Sequence, residues 1–102
     1  MGSLPSAHFS YRASSLYCEE VALCDLASQY GTPLYVYSRQ TIEEPAQKYE
    51  TAFCNIAHKL CYAVKANSNL AILKILQKKG WGFDLFSLGE LAIVLLILAV
   101  PK

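Results

Sequence analysis

The chain has 102 residues, 54% of them hydrophobic and 17% charged, which is enough for one small domain with a modest core. Its formal net charge of +1 gives no electrostatic reason to expect a nucleic acid or an anionic membrane as a partner. The four cysteines form no C-x-x-C pair and have no metal-ligand spacing with His8 or His58. No secretory signal pattern is present, so we expect reduced thiols in a cytoplasmic protein.

The first third of the chain predicts short strands and one helix. Residues 1–6 fit the permissive N-myristoylation pattern, but an unstructured start is the better interpretation. The stretches "FSYR" (9–12) and "SLYCEEVAL" (15–23) are candidate short strands. A short helix over "DLASQY" (25–30) should end at Gly31 and Pro33. The next stretch, "PLYVYS" (33–38), alternates and is rich in β-forming residues, which predicts a strand.

The remaining residues alternate between helix and strand patterns. Residues 39–53 look helical, with Pro45 required to sit near the first turn or to kink the helix. The stretches "KLCYAVKA" (59–66) and "WGFDLFS" (81–87) predict two near-continuous apolar strands. Between them lies an amphipathic helix that Asn67, Ser68 or Asn69 could cap and that Gly80 should end. A last helix begins at Gly89-Glu90, and this alternation predicts a parallel sheet in an α/β fold.

Lys65 stands out because it follows the apolar run Leu60–Val64 in a strand that reads as buried. An ammonium group there would cost several kcal/mol unless it found a partner or lost its charge. Alternation along the strand places Cys61, Ala63 and Lys65 on one face, at the carboxyl end where α/β proteins place their ligands. A solvated lysine at a strand end is the structural alternative, and the pattern by itself leaves both open.

Asp84 is the predicted partner of Lys65. It lies nineteen positions later in the chain, near the middle of the next predicted strand. If the two strands pair directly, its carboxylate could face the same pocket and balance the lysine charge. Glu90, at the start of the last helix, could reach the same place from above. An ordinary turn residue remains the alternative for Asp84.

Three stretches in this order resemble the N-terminal part of the diaminopimelate decarboxylases, within the alanine-racemase-like class of pyridoxal-phosphate enzymes. They are "YGTPLYVYS" (30–38), "CYAVKANSNLAILKIL" (61–76) and "GFDLFSLGEL" (82–91). Tyr-Ala-Val-Lys-Ala-Asn is the cofactor-lysine signature of that class. The resemblance covers roughly residues 8–91, and the first and last stretches favour amino-acid decarboxylases over racemases.

The resemblance implies a fold, a cofactor and a set of site residues. The fold would be the first strands and helices of a (β/α)₈ TIM barrel over residues 31–102, with residues 1–30 as a segment that belongs to a β-domain. Lys65 would form the Schiff base with pyridoxal 5'-phosphate, Ala63 would lie beside the ring, and Asp84 and Glu90 would lie close to the lysine. The implied reaction converts meso-diaminopimelate to L-lysine and carbon dioxide in a cytoplasmic homodimer with a shared active site.

The sequence leaves other functions open. Related decarboxylases act on ornithine, arginine or carboxynorspermidine, and the residues that choose among these substrates lie outside the stretch. A non-catalytic pyridoxal-phosphate-binding barrel protein and an inert truncated gene product are the alternatives to an enzyme. The stretch "AIVLLILAVPK" (92–102) departs from the family's amphipathic helix, and a frameshift or accumulated substitutions in a truncated reading frame would explain it. As an N-terminal fragment, the chain is expected to be inactive alone and prone to aggregate.

Overall fold

The structure is a computed structural model that describes residues 7–99. The described chain forms two compact units that divide between Ala46 and Gln47. The N-myristoylation pattern of residues 1–6 and the last three residues of the stretch 92–102 lie outside the described residues.

The first unit contains a three-stranded antiparallel sheet in the order β1-β2-β3. The strands are β1 (Phe9–Arg12), β2 (Ser15–Cys18) and β3 (Val21–Ala22), and α1 (Leu23–Tyr30) follows directly. The β1–β2 turn consists of Ala13 and Ser14, both with positive φ, which matches the twist of a tight hairpin. The strands predicted for this region are therefore confirmed, and the helix begins two residues earlier than the sequence indicates.

A carboxylate in the first unit binds the beginning of α2 (Arg39–Ala52). Buried Ser38 caps this helix, because its Oγ accepts a hydrogen bond from the Thr41 N–H at 3.2 Å. Glu19 Oε2 accepts from Ser38 Oγ at 2.8 Å and from the Gln40 N–H at 3.2 Å. These hydrogen bonds favour the carboxylate and lower the pKa of Glu19. Glu19 thereby stabilises the beginning of α2, where its partner Ser38 lies nineteen positions further along the sequence.

The lowered pKa of Glu19 predicts that the first unit loses stability in acid. The unfolded state binds the proton more readily, so this stabilisation is complete above the ordinary carboxyl pKa of 4.5. It is lost as the pH falls through the lower pKa that Glu19 has in the folded state. The free energy of unfolding, measured in urea at about pH 6 and about pH 3.5, should fall more for the wild type than for Glu19→Gln. Asp25→Asn, an exposed carboxylate in the first turn of α1, is the matched control. Equal acid sensitivity of the wild type and Glu19→Gln would refute this assignment.

The strand predicted over residues 33–38 is absent from the structure. These residues connect α1 to α2 without helix or strand, and Tyr35 is 86% exposed. Alternation and β-forming residues favour an extended backbone, but a strand also requires a neighbour that completes its hydrogen bonds. Within residues 7–99, no strand pairs with this segment, so the prediction is wrong for this structure.

The second unit is a strand–helix–strand–helix arrangement with parallel strands. Its elements are β4 (Cys61–Ala63), a 3₁₀ turn (Val64–Ala66), α3 (Leu70–Lys78), β5 (Gly82–Asp84) and α4 (Leu88–Ala99). Asn69 caps α3 through its Oδ1, which accepts from the Ala71 N–H at 2.9 Å. Beyond α3, Gly80 adopts φ +85°, a conformation that favours glycine. The predicted parallel pairing, cap and helix end are confirmed.

Both predicted strands of this unit are shorter than the sequence indicates. β4 and β5 pair over three residues each, with Cys61 opposite Gly82, Tyr62 opposite Phe83 and Ala63 opposite Asp84. After Ala63 the backbone turns, and the Tyr62 hydroxyl donates to the Asn67 carbonyl oxygen at 2.9 Å. The apolar pattern continues past Ala63 because Val64 is fully buried, although it lies in the turn and not in the strand.

The core of the second unit forms where α3 and α4 pack beside the strands. Its buried members are Val64, Leu73, Val94 and Ile97. Lys74 Nζ donates to the Ile97 carbonyl oxygen at 3.2 Å and so binds one of the last carbonyls of α4. Burial of a few large apolar side chains, rather than a continuous sheet, therefore holds this unit together.

Helix α4 is apolar on its outer face as well as on its buried face. Four leucines on it are spaced at heptad-like intervals of three and four residues and are partly to largely exposed: Leu88, Leu91, Leu95 and Leu98. A face of this kind favours association with other apolar surfaces. No helix within residues 7–99 combines the length and the hydropathy needed to cross a lipid bilayer.

Candidate functional site

Lys65 lies just past the carboxyl end of β4, in the middle of the 3₁₀ turn. The fully buried side chain of Val64 anchors this turn in the core. The Tyr62 hydrogen bond to the Asn67 carbonyl fixes its far end. The turn therefore carries the lysine on a supported segment, but outside the strand. The prediction that Lys65 shares a strand face with Cys61 and Ala63 is therefore wrong, because the strand ends at Ala63.

The Lys65 side chain is exposed, so of the two alternatives that the sequence leaves open the structure shows a solvent-accessible lysine. Its Nζ lies 4.5 Å from the ring centroid of Phe86, in the geometry of a cation–π contact. Among residues 7–99, no carboxylate lies within 4.0 Å of this ammonium group. The Lys65 ammonium group therefore contacts an aromatic ring in this structure, and it remains accessible to solvent.

The strand register explains why Phe86, and not Asp84, lies next to Lys65. Ala63 is opposite Asp84, an offset of 21 positions, and the same offset carries Lys65 to Phe86. The sequence pairs Lys65 with Asp84 because Asp84 lies in the next predicted strand, and it does not indicate the contact with Phe86. No sequence signal gives this offset, because it depends on the register of the two strands, in which Cys61 lies opposite Gly82.

Asp84 and Glu90 occupy different environments. Asp84 is the last residue of β5 and is exposed. Glu90 is half-buried in the first turn of α4, where its Oε1 accepts from the Phe86 N–H at 2.8 Å. The Glu90 N–H in turn donates to Ser87 Oγ at 3.1 Å. These two hydrogen bonds form a variant of the capping box, so Glu90 fixes the beginning of α4 and the backbone of Phe86.

Ala63 is the half-buried last residue of β4 and lies directly opposite Asp84. Its side chain is a single methyl group, the smallest side chain after that of glycine. Lys65, Asp84 and Ala63 therefore share the carboxyl ends of the two parallel strands, while Glu90 and Phe86 belong to the segment that follows β5.

A small pocket lies at the opposite ends of the same strands. Its volume is about 180 Å³, and its lining includes Glu50, Lys59, Lys79 and Trp81. Glu50 Oε1 accepts from Trp81 Nε1 at 2.9 Å, and its Oε2 lies 4.0 Å from Lys79 Nζ. Lys59 and Trp81 precede β4 and β5, so this pocket is at the amino ends of the strands, away from Lys65.

Comparison with known proteins identifies the family of the chain. The model of the pyridoxal binding domain of pyridoxal-dependent decarboxylases matches residues 39–102. The chain belongs to this family. The family model continues through the apolar residues 92–102, although the stretch lacks the charged positions expected from the resemblance.

Relatives of this family are similar to the chain in sequence and in fold over most of its length. Diaminopimelate decarboxylase from Vibrio cholerae is 51% identical over 89 residues, which is 86% of this chain and 21% of the relative. The enzyme from Pseudomonas aeruginosa is 51% identical over 87 residues, 85% of this chain and 21% of the relative. The crystal structure of diaminopimelate decarboxylase from M. jannaschii in co-complex with L-lysine is 35% identical with a TM-score of 0.78, covering 90% of this chain and 23% of that one.

The comparisons confirm the resemblance and the fold class predicted from the sequence. The fold is the mixed α/β arrangement of the N-terminal part of the diaminopimelate decarboxylases. The predicted cofactor class, pyridoxal phosphate, is that of the family. The chain spans about one-fifth of the length of the curated relatives that it matches.

Proposed function

We propose that the chain is the N-terminal part of a pyridoxal-phosphate-dependent carboxy-lyase that converts meso-diaminopimelate to L-lysine and carbon dioxide. The observation that carries this proposal is the 51% identity to enzymes named diaminopimelate decarboxylase, over 86% of the chain. The co-complex of the M. jannaschii enzyme with L-lysine supports the assignment of the product. Decarboxylation of ornithine, arginine or carboxynorspermidine is the alternative within the same chemistry.

The residues at the carboxyl ends of β4 and β5 fit the cofactor. The Lys65 amine is exposed and, among the described residues, is not held by a carboxylate, so a carbonyl compound can reach it. Ala63 leaves space for a flat ring on this side. Bound pyridoxal phosphate would supply an electron sink for the charge left when carbon dioxide departs.

Each site residue has a role in this proposal. Lys65 would hold the cofactor through its amine. Asp84 supplies a negative charge near the site, and Glu90 fixes the segment that follows β5 through its hydrogen bond to the Phe86 N–H. Ala63 contributes the small wall of the site.

The proposal extends to organisation and location. Residues 1–30 would join a β-domain and residues 31–102 would begin the barrel, in a homodimer whose subunits share the active site. The protein would act in the cytoplasm, which is consistent with the four free thiols in the described residues. Because the chain spans about one-fifth of its relatives' length, we propose that it does not turn over substrate alone.

A chimera tests the proposed function. Residues 8–91 would replace the matching stretch of the Vibrio cholerae enzyme, and carbon dioxide release from carboxyl-labelled meso-diaminopimelate would be measured. We expect a chimera as stable as the relative to release carbon dioxide, its Lys65→Ala variant to release none, and the 102-residue chain to match that variant. A stable, dimeric chimera without activity would count against the proposal, since these residues would then not support the reaction.

A further inference from the structure

The contact between Lys65 and Phe86 is the feature of the site that the proposed roles do not use. Phe86 is 67% exposed, although a large apolar side chain is normally more buried. Its ring lies 4.5 Å from Lys65 Nζ. Its backbone N–H donates a hydrogen bond to Glu90 Oε1 at 2.8 Å.

Two independent elements hold the partners in this contact. The register of β4 and β5 places Lys65 and Phe86 at equivalent positions beyond the ends of paired strands. The capping interaction of Ser87 and Glu90 then fixes the backbone from which the Phe86 ring projects. The ring is therefore positioned by the backbone, and the long, flexible lysine side chain reaches to it.

A cation–π contact distinguishes between the two protonation forms of an amine. The negative face of the ring attracts the ammonium ion and has no comparable attraction for the neutral amine. Only the neutral amine has the lone pair that attacks a carbonyl carbon. Contact with the ring therefore competes with attack by the Lys65 amine on a carbonyl carbon.

We propose that Phe86 is a positioning residue that holds the ammonium form of Lys65 in place and lowers its reactivity toward carbonyl and acylating reagents until a ligand displaces the ring. This inference rests on the proposed function only in taking Lys65 as the amine that binds the cofactor. The contact takes the place of the carboxylate partner that the sequence predicts at Asp84.

Competitive labelling of the 102-residue chain tests this inference without cofactor or substrate. The chain would be treated at neutral pH with a limiting amount of an amine-acylating reagent, and peptide mass spectrometry would give the labelling rate of Lys65 relative to exposed Lys78 in the same molecule. Phe86→Leu keeps an apolar side chain and removes the ring, whereas Phe86→Tyr keeps the ring. We expect the rate ratio to rise about two- to fivefold in Phe86→Leu, as an exposed cation–π contact implies, and to stay unchanged in Phe86→Tyr.

Leu88→Ala is the matched control, because Leu88 is an exposed apolar residue two positions further along the chain. An unchanged ratio in Phe86→Leu would overturn the inference. Equal increases in Phe86→Leu and Phe86→Tyr would also overturn it, since a change in packing would then be responsible. If Phe86→Leu does not fold, the wild-type NMR spectrum decides: ring-current displacement of the Lys65 Hε protons is expected, and its absence would overturn the inference. Because no cofactor is present, failure here leaves the proposed decarboxylase function untouched.

Discussion

Lys65→Ala is expected to abolish the absorbance band that pyridoxal phosphate develops when it condenses with the protein. The band of a protonated imine lies at roughly 410–430 nm and reports the bond between the cofactor and an amine. Lys65 is the lysine that the strand–turn geometry places at the carboxyl end of the parallel pair, so its loss should remove the band rather than weaken it. Titration of the chain with pyridoxal phosphate in a spectrophotometer measures this directly.

Lys78→Ala serves as the control for this titration. Lys78 is exposed at the end of α3 and has no place at the proposed site, so its removal should leave the specific band intact. Loss of the band to the same extent in both variants would indicate nonspecific condensation with surface amines. Full retention in Lys65→Ala would assign the cofactor bond to another residue.

Leu73→Ala is expected to destabilise the second unit by about 2–5 kcal/mol, the largest stability effect of the predicted substitutions. Leu73 is fully buried among Val64, Val94 and Ile97, and its truncation removes apolar contacts and leaves a cavity. Urea unfolding followed by far-ultraviolet circular dichroism gives the free energy of unfolding. In a domain of this size, such a loss is a large fraction of the total stability.

Leu70→Ala is the matched control, since Leu70 is a leucine of the same helix that is 49% exposed. Its truncation should cost well under half as much, because less apolar surface returns to water and no enclosed cavity forms. Similar losses in the two variants would mean that Leu73 is not a core residue in solution.

Much of the fold could be predicted because local signals and topology agree. Asn69 at the start of α3 and Gly80 after its end mark the helix by capping chemistry that depends on neighbouring residues alone. The parallel pairing of β4 and β5 follows from the alternation of strands and helices. The lengths of the strands could not be predicted from these signals, because a strand extends only as far as its neighbour does. β4 and β5 are paired over three residues each.

The sequence places Lys65 at the carboxyl end of its strand, where the structure has it, but it does not give the contacts of the Lys65 side chain. The apolar run before Lys65 predicts a strand through Val64, but the strand ends at Ala63 and the buried Val64 already lies in the turn. Whether Asp84 or Phe86 meets the lysine depends on the register of two strands that are far apart in the chain, and residue types do not fix a register. Glu90 illustrates the same limit, because its engagement with the Phe86 N–H depends on how the segment after β5 enters α4.

The hydrogen bond between Trp81 and Glu50 gives the molecule a built-in optical reporter. Trp81 is the single tryptophan of the chain, and its indole N–H donates to Glu50 Oε1 at 2.9 Å within the second unit. Excitation of the indole, rather than of the seven tyrosines, should therefore follow the opening of this unit alone. Its emission should shift to the red when water replaces the carboxylate contact, so one fluorescence trace separates the behaviour of the lysine-bearing unit from that of the antiparallel sheet.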